Sequence, residues 1–268
     1  MSPFPTSKGH LNPGGGLRMT RVPPGPDAVD LVRHYWIPQW EVPAGHTERQ
    51  VVLGYPACNL VVEPEGVTLS GPTTKVSHRD LTGTSWAVAA LLRPAAGQPL
   101  LQTVSRAGAG HPVTAVGDLV DREMIIGDDD LCGSVTGAMV RGRVDLAVAA
   151  LQEFLLRLRP AVTPDGLLAN RLQELVEQTA VRRVEDLAAE LALSPRSLQR
   201  LARGHIGLSP GAMIRRRRLQ DAADEVRRQP DADLTEVALR HGYADHAHLT
   251  REFRTVLGFT PSQYRAGR

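Results

Sequence analysis

The last third of the chain contains one pattern of apolar and polar residues twice. The first copy runs from Val184 to Ile214 and the second from Leu234 to Arg265. Each copy has a short segment with apolar residues at helical spacing, a break, and a second amphipathic segment rich in Arg and His, followed by Gly, an apolar residue, Ser or Thr, and Pro. This doubled pattern predicts two helix-turn-helix units, over residues 184–206 and 234–257.

Residues that favour helix ends stand at the expected places in both copies. Ser194–Pro195 predicts a helix start, because the hydroxyl can accept a backbone N–H and Pro fits the first helical position. Asp233 and Glu236 resemble a capping box, Gly242 suits a helix end, and Asp245 can cap the next helix. The second helix of each unit is therefore predicted to begin at a defined residue.

The helical spacing also separates inward-facing from outward-facing positions. In the first unit the inward positions are Leu198 and Leu201, and in the second they are Leu249, Phe253 and Leu257. The outward residues of the two second helices are Arg196, Ser197, Gln199, Arg200 and Arg203 in one copy, and His246, Ala247, Thr250, Arg251 and Arg254 in the other. Both faces are cationic, which is typical of surfaces that bind nucleic acid.

The segment between the copies predicts one stiff linker helix over residues 210–228. It begins at Ser209–Pro210 and has no internal Pro. Its 19 residues would span about 28 Å at about 1.5 Å per residue, close to the repeat of about 34 Å between successive major grooves. The run Arg215–Arg218 covers more than one face of this helix, so at least one of these arginines must be buried or paired within the protein.

At these residues the chain resembles the AraC/XylS family of bacterial transcription regulators. The residues that agree in type and spacing are Gly242–Tyr243, Leu249, Arg251, Phe253, Gly258, Thr260–Pro261 and Tyr264–Arg265. The resemblance implies an all-α DNA-binding domain over residues 179–268, with double-stranded DNA as partner. The base-reading positions that it implies are Arg196, Ser197, Gln199 and Arg200 in the first unit, and His246, Ala247, Thr250 and Arg251 in the second.

Two residues depart from the family pattern, and others differ in the contact that they suit. Ala202 stands where the family usually has Phe, and Ala247 can offer only an apolar contact. Gln199 suits an adenine edge, whereas Arg203 and Arg254 lie one turn further along and are expected to contact phosphates. RNA polymerase would be a further partner if the protein is an activator.

The first half of the chain has the period-2 pattern of short strands. Candidate strands are Tyr35–Trp40, Arg49–Leu53, Asn59–Glu63, Val67–Ser70 and Ser85–Leu92, with a hairpin signal at Glu65–Gly66. This pattern predicts a small antiparallel barrel or sandwich within a domain over residues 27–142. The runs HYWIPQWEVP and ACNLVVEP resemble the N-terminal domain of a subgroup of AraC-type regulators, which implies a cupin-like sensor or regulatory domain without implying its ligand.

The middle of the chain is predicted to be mostly helical. Residues 93–142 are the least informative, with a short helix expected at Val113–Val120, a loop at Met124–Ile126 and an acidic turn at Asp128–Asp130. Helical patterns at Asp145–Leu158 and after Thr163–Pro164 predict connecting helices over residues 143–178. In the AraC family such helices often mediate dimerisation, so a homodimer is a possible assembly. The overall prediction is an α+β multidomain protein with two cores or more.

Aromatic residues are concentrated in the β-type region and are candidate effector ligands. The candidates are Trp36, Trp40, Tyr55 and Trp86. Trp36 and Trp40 share strand parity, so they line either the core or a cavity for a small-molecule effector. The pattern does not decide between these alternatives.

Charge and composition narrow the class of protein. Residues 181–268 hold 16 Arg and 11 acidic residues, an excess of five positive charges, whereas the rest of the chain has an excess of three negative charges. This division favours a DNA-binding module attached to a domain that stays off DNA. Cys58 and Cys132 have no paired ligand spacing, and we find neither a membrane-spanning run nor a secretion signal. A cytoplasmic location is expected, and residues 1–26 are expected to form a disordered or extended tail.

Metal and catalytic sites are weakly supported. His246 and His248 lie two apart, so on a helix they point away from each other, and His46 with Glu48 is only a fragment of a cupin metal site. We therefore expect no metal, no cofactor and no catalytic residue. The leading hypothesis is a DNA-binding transcription regulator. The alternatives are an N-terminal domain that is purely a dimerisation or partner-binding scaffold, and an enzyme, either a metal-dependent cupin or a DNA-repair alkyl acceptor, fused to a DNA-binding domain.

Overall fold

The first half of the chain forms an antiparallel β domain. The computed structural model describes residues 17–52, 56–106, 113–178, 183–229 and 231–266. Within these ranges the strands are β1 Leu17–Val22, β2 Val32–Glu41, β3 Glu48–Val52, β4 Asn59–Glu63, β5 Gly66–Ser70, β6 Ser77–Leu81, β7 Thr84–Trp86, β8 Val88–Leu92 and β9 Glu123–Ile126. The main sheet has the order β1-β2-β8-β4-β5-β9, with β7 on β2, and β3 pairs with β6 in a separate ribbon.

These pairings confirm an antiparallel β domain followed by helices. The predicted hairpin is present, with Glu63 opposite Gly66, and the run predicted as one strand at residues 85–92 is divided into β7 and β8. The pairings of the described strands give an open order, with β1 and β9 at the two ends. The cupin-like character of the domain stays a prediction.

Three strands lie where the sequence predicted a tail or a loop, or where it predicted no element. β1 lies within the predicted tail of residues 1–26, and it pairs along its whole length with β2, from Leu17 opposite Trp40 to Val22 opposite Tyr35. β9 replaces the loop predicted at Met124–Ile126, because its backbone extends the sheet beside β5. β6 was not predicted, because its sequence SHRDL is polar and is a strand only through its pairing with β3.

Helices follow the strands and cover the sheet. They are α1 Pro94–Arg106, α2 Asp129–Val140, α3 Val144–Leu156 and α4 Pro164–Gln178. The helix predicted at Val113–Val120 is only a 3₁₀ turn at Val116–Leu119, and α1 was missed because it contains Gly97 and Pro99. The acidic turn at Asp128–Asp130 is the start of α2, where the Asp128 carboxylate accepts from the Leu131 N–H at 2.8 Å. None of the described helices is long and apolar enough to cross a membrane.

The interior of the β domain is filled by side chains. Tyr35, Leu60 and Leu69 from the sheet are fully buried together with Leu100 of α1 and Leu151 of α3. α2 adds Leu131 and Val135 to the same cluster, so three helices close one face of the sheet. The core of this domain is therefore a packed sheet-on-helix layer.

Helix α4 belongs to two cores at once. Its polar residues hold the β domain: the Asn170 amide donates to the Asp30 carbonyl at 2.8 Å, and Glu174 pairs with Arg93 at 2.6 Å. Its apolar residues, among them Leu172 and Leu175, are buried in the core of the first helix-turn-helix unit. That core therefore extends across the boundary predicted at residue 178, and α4 is a structural part of both units that it connects.

The C-terminal helices lie where the doubled pattern placed them. They are α5 Val184–Glu190, α6 Pro195–His205, α7 Pro210–Arg228, α8 Leu234–Arg240, α9 His246–Leu257 and α10 Pro261–Arg265. The linker helix α7 has the predicted bounds. Its first half contributes Met213 and Ile214 to the core of the first unit, and its second half contributes Leu219, Ala222 and Val226 to the core of the second.

Replacement of Phe253 by Ala tests the second core. Phe253 is fully buried in α9, with Tyr264 of α10 edge-on at 6.0 Å between ring centroids. We expect the free energy of unfolding of this unit to fall by about 3–5 kcal/mol, because the substitution leaves a cavity that the helices cannot close completely. Chemical denaturation followed by circular dichroism measures the change.

The matched control for Phe253→Ala is Thr255→Ala on the exposed face of the same helix, where a surface substitution is expected to change stability by about 0.5 kcal/mol or less. A loss below about 1 kcal/mol for Phe253→Ala would contradict its role as the anchor of the second core.

Candidate nucleic-acid interface

In the first helix-turn-helix unit, local capping fixes the start of the second helix. The Ser194 hydroxyl accepts from the Ser197 N–H at 3.1 Å, and Pro195 occupies the first turn of α6. Leu198 and Leu201 are buried below, as predicted. The predicted outward residues Arg196, Gln199, Arg200 and Arg203 are exposed. This helix therefore presents three arginines and one glutamine to the exterior.

Two residues of α6 differ in availability from their exposed neighbours. Ser197 is only half-exposed, and its hydroxyl lies 3.0 Å from that of Ser194, within the cap. Ala202, where the family usually has Phe, is completely buried. The Ala202 carbonyl accepts from the N–H groups of Ile206 and Gly207 at 2.9 Å each, which closes the end of the helix.

The second unit repeats this arrangement. The Asp245 carboxylate caps α9 by accepting from the His248 N–H at 2.7 Å, and Gly242 takes a positive φ of 73° at the end of α8. The outward residues His246, Ala247, Arg251 and Arg254 are exposed, and Thr250 is half-exposed with its hydroxyl 3.2 Å from His246 Nε2. The inward positions Leu249, Phe253 and Leu257 are buried.

The predicted capping box at Asp233 takes another form. The Asp233 carboxylate accepts from the Thr235 N–H at 2.7 Å, and the Glu236 carboxylate lies 3.3 Å from Arg240 one turn along. Helix α8 therefore begins with a single side-chain cap, and Glu236 supports the helix through an i,i+4 ion pair.

A charged cluster fastens α8 to the linker helix. Glu225 of α7 pairs with Arg240 at 2.5 Å and with His241 Nε2 at 2.7 Å. Burial favours the protonated form of Glu225, but its hydrogen bonds to Arg240 and His241 outweigh burial and lower its pKa. Glu225 is therefore ionised at neutral pH and holds both ends of this contact.

The two histidines of α9 have separate surroundings. His248 packs edge-on against Tyr243, with ring centroids 5.2 Å apart, whereas His246 is exposed. In the part of the chain that the structure describes, no group of three His, Cys, Asp or Glu side chains is placed to bind a metal ion.

The run Arg215–Arg218 is largely satisfied within the protein, as its spacing predicted. Arg216 donates to the Thr73 carbonyl of the β domain at 2.8 Å, and Arg217 pairs with Asp221 at 2.9 Å. Arg218 lies 3.7 Å from Glu252 of α9, and Arg215 is exposed. The linker therefore uses most of its positive charge for internal contacts.

The β domain touches the far end of α6. A Cβ atom at Gly117 would lie 2.9 Å from the Arg203 carbonyl oxygen, and one at Gly207 would lie 3.0 Å from Pro72 and 3.1 Å from Val120. Such distances require glycine, because a side chain would meet backbone or rigid neighbours. The contact lies at the C-terminal end of α6 and leaves the outward face of this helix exposed.

The aromatic residues proposed as effector ligands are not brought together. Trp36 packs with Val61 and Ala89 on one face of the sheet, whereas Trp86 packs against the main core on the other face. Trp40 donates to the Thr82 carbonyl at 3.2 Å, and Tyr55 lies outside the described residues. The prediction of one cavity lined by Trp36, Trp40 and Trp86 is therefore wrong, because strand register puts Trp86 opposite Gln39.

Two cavities lie where the β domain meets the C-terminal helices. The larger, of about 490 Å³, is lined by Arg33, Pro56, Gln173, Val176, Glu177, Met213, Arg216, Arg217 and Gln220. The smaller, of about 200 Å³, lies beside Cys58, Gly97 and His205. Burial lowers the pKa of His205 and raises that of Cys58 to about 12, so both groups are neutral at physiological pH. Sequence analysis missed these cavities because their walls come from segments distant in sequence.

Comparisons with known proteins agree with this geometry. Residues 187–267 match the model of a family described as a helix-turn-helix domain, and residues 20–110 match a family described as a domain of unknown function, DUF6597. The transcriptional activator RhaS from Escherichia fergusonii is 37% identical over 84 residues, which are 31% of this chain and 30% of that protein. RhaS from Salmonella schwarzengrund is 32% identical over 113 residues, 41% of this chain and 40% of that protein.

Solved structures give distant similarity only. The C-terminal domain of AraT, a response regulator from Geobacillus stearothermophilus, is 24% identical with a TM-score of 0.34, over 40% of this chain and 87% of that one. Apo ToxT from Vibrio cholerae is 12% identical with a TM-score of 0.44, over 87% and 97%. The chain spans less than half of the length of the curated relatives named above. Its C-terminal region is a helix-turn-helix domain of the AraC type, as the doubled sequence pattern predicted.

Proposed function

We propose that this protein is a sequence-specific regulator of transcription that binds double-stranded DNA through both helix-turn-helix units. The observation that carries the proposal is the repeated geometry of α6 and α9. Each is capped at its first turn, buried on one side and cationic on the other, and both units share the linker helix α7. Second helices of such units enter the major groove, with phosphates contacted around them.

The exposed residues differ in the contacts that they can make. Arg196, Arg200 and Arg251 are long and exposed enough to reach guanine edges, and Gln199 suits adenine. Arg203 and Arg254 lie towards the ends of their helices and suit phosphates. Ser197 and Thr250 have hydroxyls already engaged within the protein, so their contribution to base reading is smaller. His246 and Ala247 complete the second reading surface.

The β domain acts on DNA binding through its contact with α6. Its interior is packed, which supports a scaffold more than a sensor with an internal cavity. A small-molecule effector has room at the 490 Å³ cavity, whose walls come from β2, α4 and α7 and therefore from both domains. Ligand bound there would favour one arrangement of the domains over another. A homodimer remains part of the proposal, without assignment to a particular helix.

Other elements of the proposal follow from the same comparison. The relatives are transcription regulators, and we propose that this chain also acts without catalysis, in the cytoplasm, with RNA polymerase as a partner if it activates transcription. An enzyme would need a set of catalytic or metal-binding side chains, and the described residues offer no metal-binding group of three.

A mobility-shift titration tests DNA binding directly. We expect the protein to bind a duplex from its own promoter region at least about a thousandfold more tightly than random duplex at physiological salt, within the range of specific regulators. Affinity for random duplex should fall steeply as salt rises, because phosphate contacts release counterions. Equal affinities for the two duplexes would refute the proposal.

Substitution of arginines separates base reading from phosphate binding. We expect Arg200→Ala and Arg251→Ala to weaken binding to the specific duplex by about 1–3 kcal/mol each, with a smaller effect on random duplex. The matched control is Arg254→Ala on the same helix as Arg251, which should weaken binding to both duplexes alike. Equal losses on both duplexes for Arg200→Ala and Arg251→Ala would show that these residues contact phosphates.

Gly117→Ala tests the contact between the β domain and α6. The added methyl would lie 2.9 Å from the Arg203 carbonyl oxygen, so the domain must shift away from the helix. We expect faster hydrogen exchange at the Ile206 and Gly207 amides and a loss of specific DNA affinity of about three- to tenfold, or roughly 0.7–1.4 kcal/mol.

The control for Gly117→Ala is Gly133→Ala in α2, where a Cβ would have no neighbour within 4 Å. This substitution should leave exchange and DNA affinity unchanged and should not destabilise the helix, since Ala favours helix over Gly by about 1 kcal/mol. Unchanged exchange in Gly117→Ala would show that the contact does not support α6.

A further inference from the structure

Arg218 lies where the linker helix passes from one core to the other. On its N-terminal side, Met213 and Ile214 are buried in the first unit, and on its C-terminal side Leu219 and Ala222 are buried in the second. Three neighbouring arginines make different contacts: Arg216 with the β domain, Arg217 with Asp221 of the same helix, and Arg215 exposed. Arg218 is directed to the second unit.

The guanidinium of Arg218 makes three contacts around the turn of that unit. Its Nη1 donates to the Gly242 carbonyl at 3.2 Å, in the turn between α8 and α9. Its Cζ lies 4.4 Å from the centroid of the Tyr243 ring, which is the geometry of a cation–π contact. Its Nη2 lies 3.7 Å from Glu252 of α9. One side chain of α7 thus holds both the turn and the second recognition helix.

These contacts are largely shielded from water. The side chains of Arg218 and Glu252 are 27% and 16% exposed, and Tyr243 is 2% exposed. Burial and the Glu252 carboxylate raise the pKa of Tyr243, so its ring stays uncharged beneath the guanidinium. Partly desolvated cation–π contacts and ion pairs are stronger than those on the surface.

A second anchor holds the other helix of the unit. Glu225, two turns further along α7, fastens α8 through Arg240 and His241. Contacts with α9 itself come from the shared core and from Arg218. The direction of α9 on the linker therefore depends on the position of the Arg218 guanidinium more than on the Glu225 cluster.

We infer that Arg218 is a positioning residue that sets the angle of the second recognition helix on the linker, and so the spacing of half-sites that the protein accepts. This inference rests on the proposed function. One base pair rotates the duplex by about 34–36°, since a turn contains about 10–10.5 base pairs. A rigid pair of units must reject a site with one inserted base pair, whereas a pair with a loosened second unit can follow it.

The experiment compares Arg218→Ala with the wild-type chain on duplexes derived from a selected high-affinity site. One series inserts or removes one base pair between the half-sites, and another changes one base within the second half-site. Wild type should lose about tenfold or more in both series, in line with about 1–3 kcal/mol per mismatched contact. Arg218→Ala should keep the penalty for the base change but tolerate the insertion within about threefold, near 0.7 kcal/mol.

Two further variants complete this comparison. Arg218→Lys keeps the charge beside Glu252 but loses the planar stack on Tyr243, and should give an intermediate insertion penalty. Arg215→Ala removes the same charge from an exposed position of the same helix and should keep the wild-type penalties in both series. Wild-type penalties in Arg218→Ala would overturn the inference. Loss of both penalties in Arg218→Ala would also overturn it, because the second unit would then be unfolded or unused.

A measurement without DNA separates this inference from the proposed function. Spin labels at Arg228 of α7 and Thr255 of α9, both exposed, report the distance between the helices by double electron–electron resonance, with Cys132 replaced by Ala. We expect one narrow distance distribution in the otherwise wild-type chain and a broader one with Arg218→Ala. An unchanged distribution would overturn the positioning role even if DNA binding is confirmed. A broadened distribution in a protein without site preference would sustain the role and refute the proposed function.

Discussion

The arrangement of the C-terminal half depends on one helix that is shared by two hydrophobic cores. α7 gives Met213 and Ile214 to the first unit and Leu219, Ala222 and Val226 to the second. Because its backbone hydrogen bonds run without interruption from Pro210 to Arg228, the two cores cannot turn freely against each other. Burial of these side chains therefore fixes two structures at once: the fold of each unit and the relation between the two exposed cationic faces.

Charge is distributed in a way that suits this arrangement. Arginines of the linker are used inside the protein, as the contact of Arg216 with Thr73 and the pair of Arg217 with Asp221 show. Arginines of the two second helices, among them Arg200 and Arg251, are exposed. Positive potential is thus concentrated on the surfaces proposed to meet the duplex, where it assists association and phosphate contact. A modest net charge of +2 for the whole chain conceals this division.

Sequence reasoning succeeded where structure is set locally and failed where it depends on distant partners. Ser194, Ser209 and Asp245 cap their helices as residue type and spacing indicate, so the bounds of α6, α7 and α9 could be predicted. β1 is a strand because β2 lies beside it, and α1 tolerates Gly97 because Val116 packs closely there. Parity placed Trp36 and Trp40 on one face, but the side of Trp86 follows from register. The partners of Arg218 lie 24 or more residues away, beyond any local pattern.

The two recognition helices are anchored to different bodies, and this has a consequence for regulation. α6 is held by α4 and by the β domain at Gly117, whereas α9 is held by α7 through the second core and Arg218. The β domain also reaches α7 directly, through Thr73 and Arg216. A change in how this domain docks would therefore move the first unit against the second. If a duplex must engage both units in register, binding of DNA and docking of the β domain are coupled, and each must change the free energy of the other by the same amount.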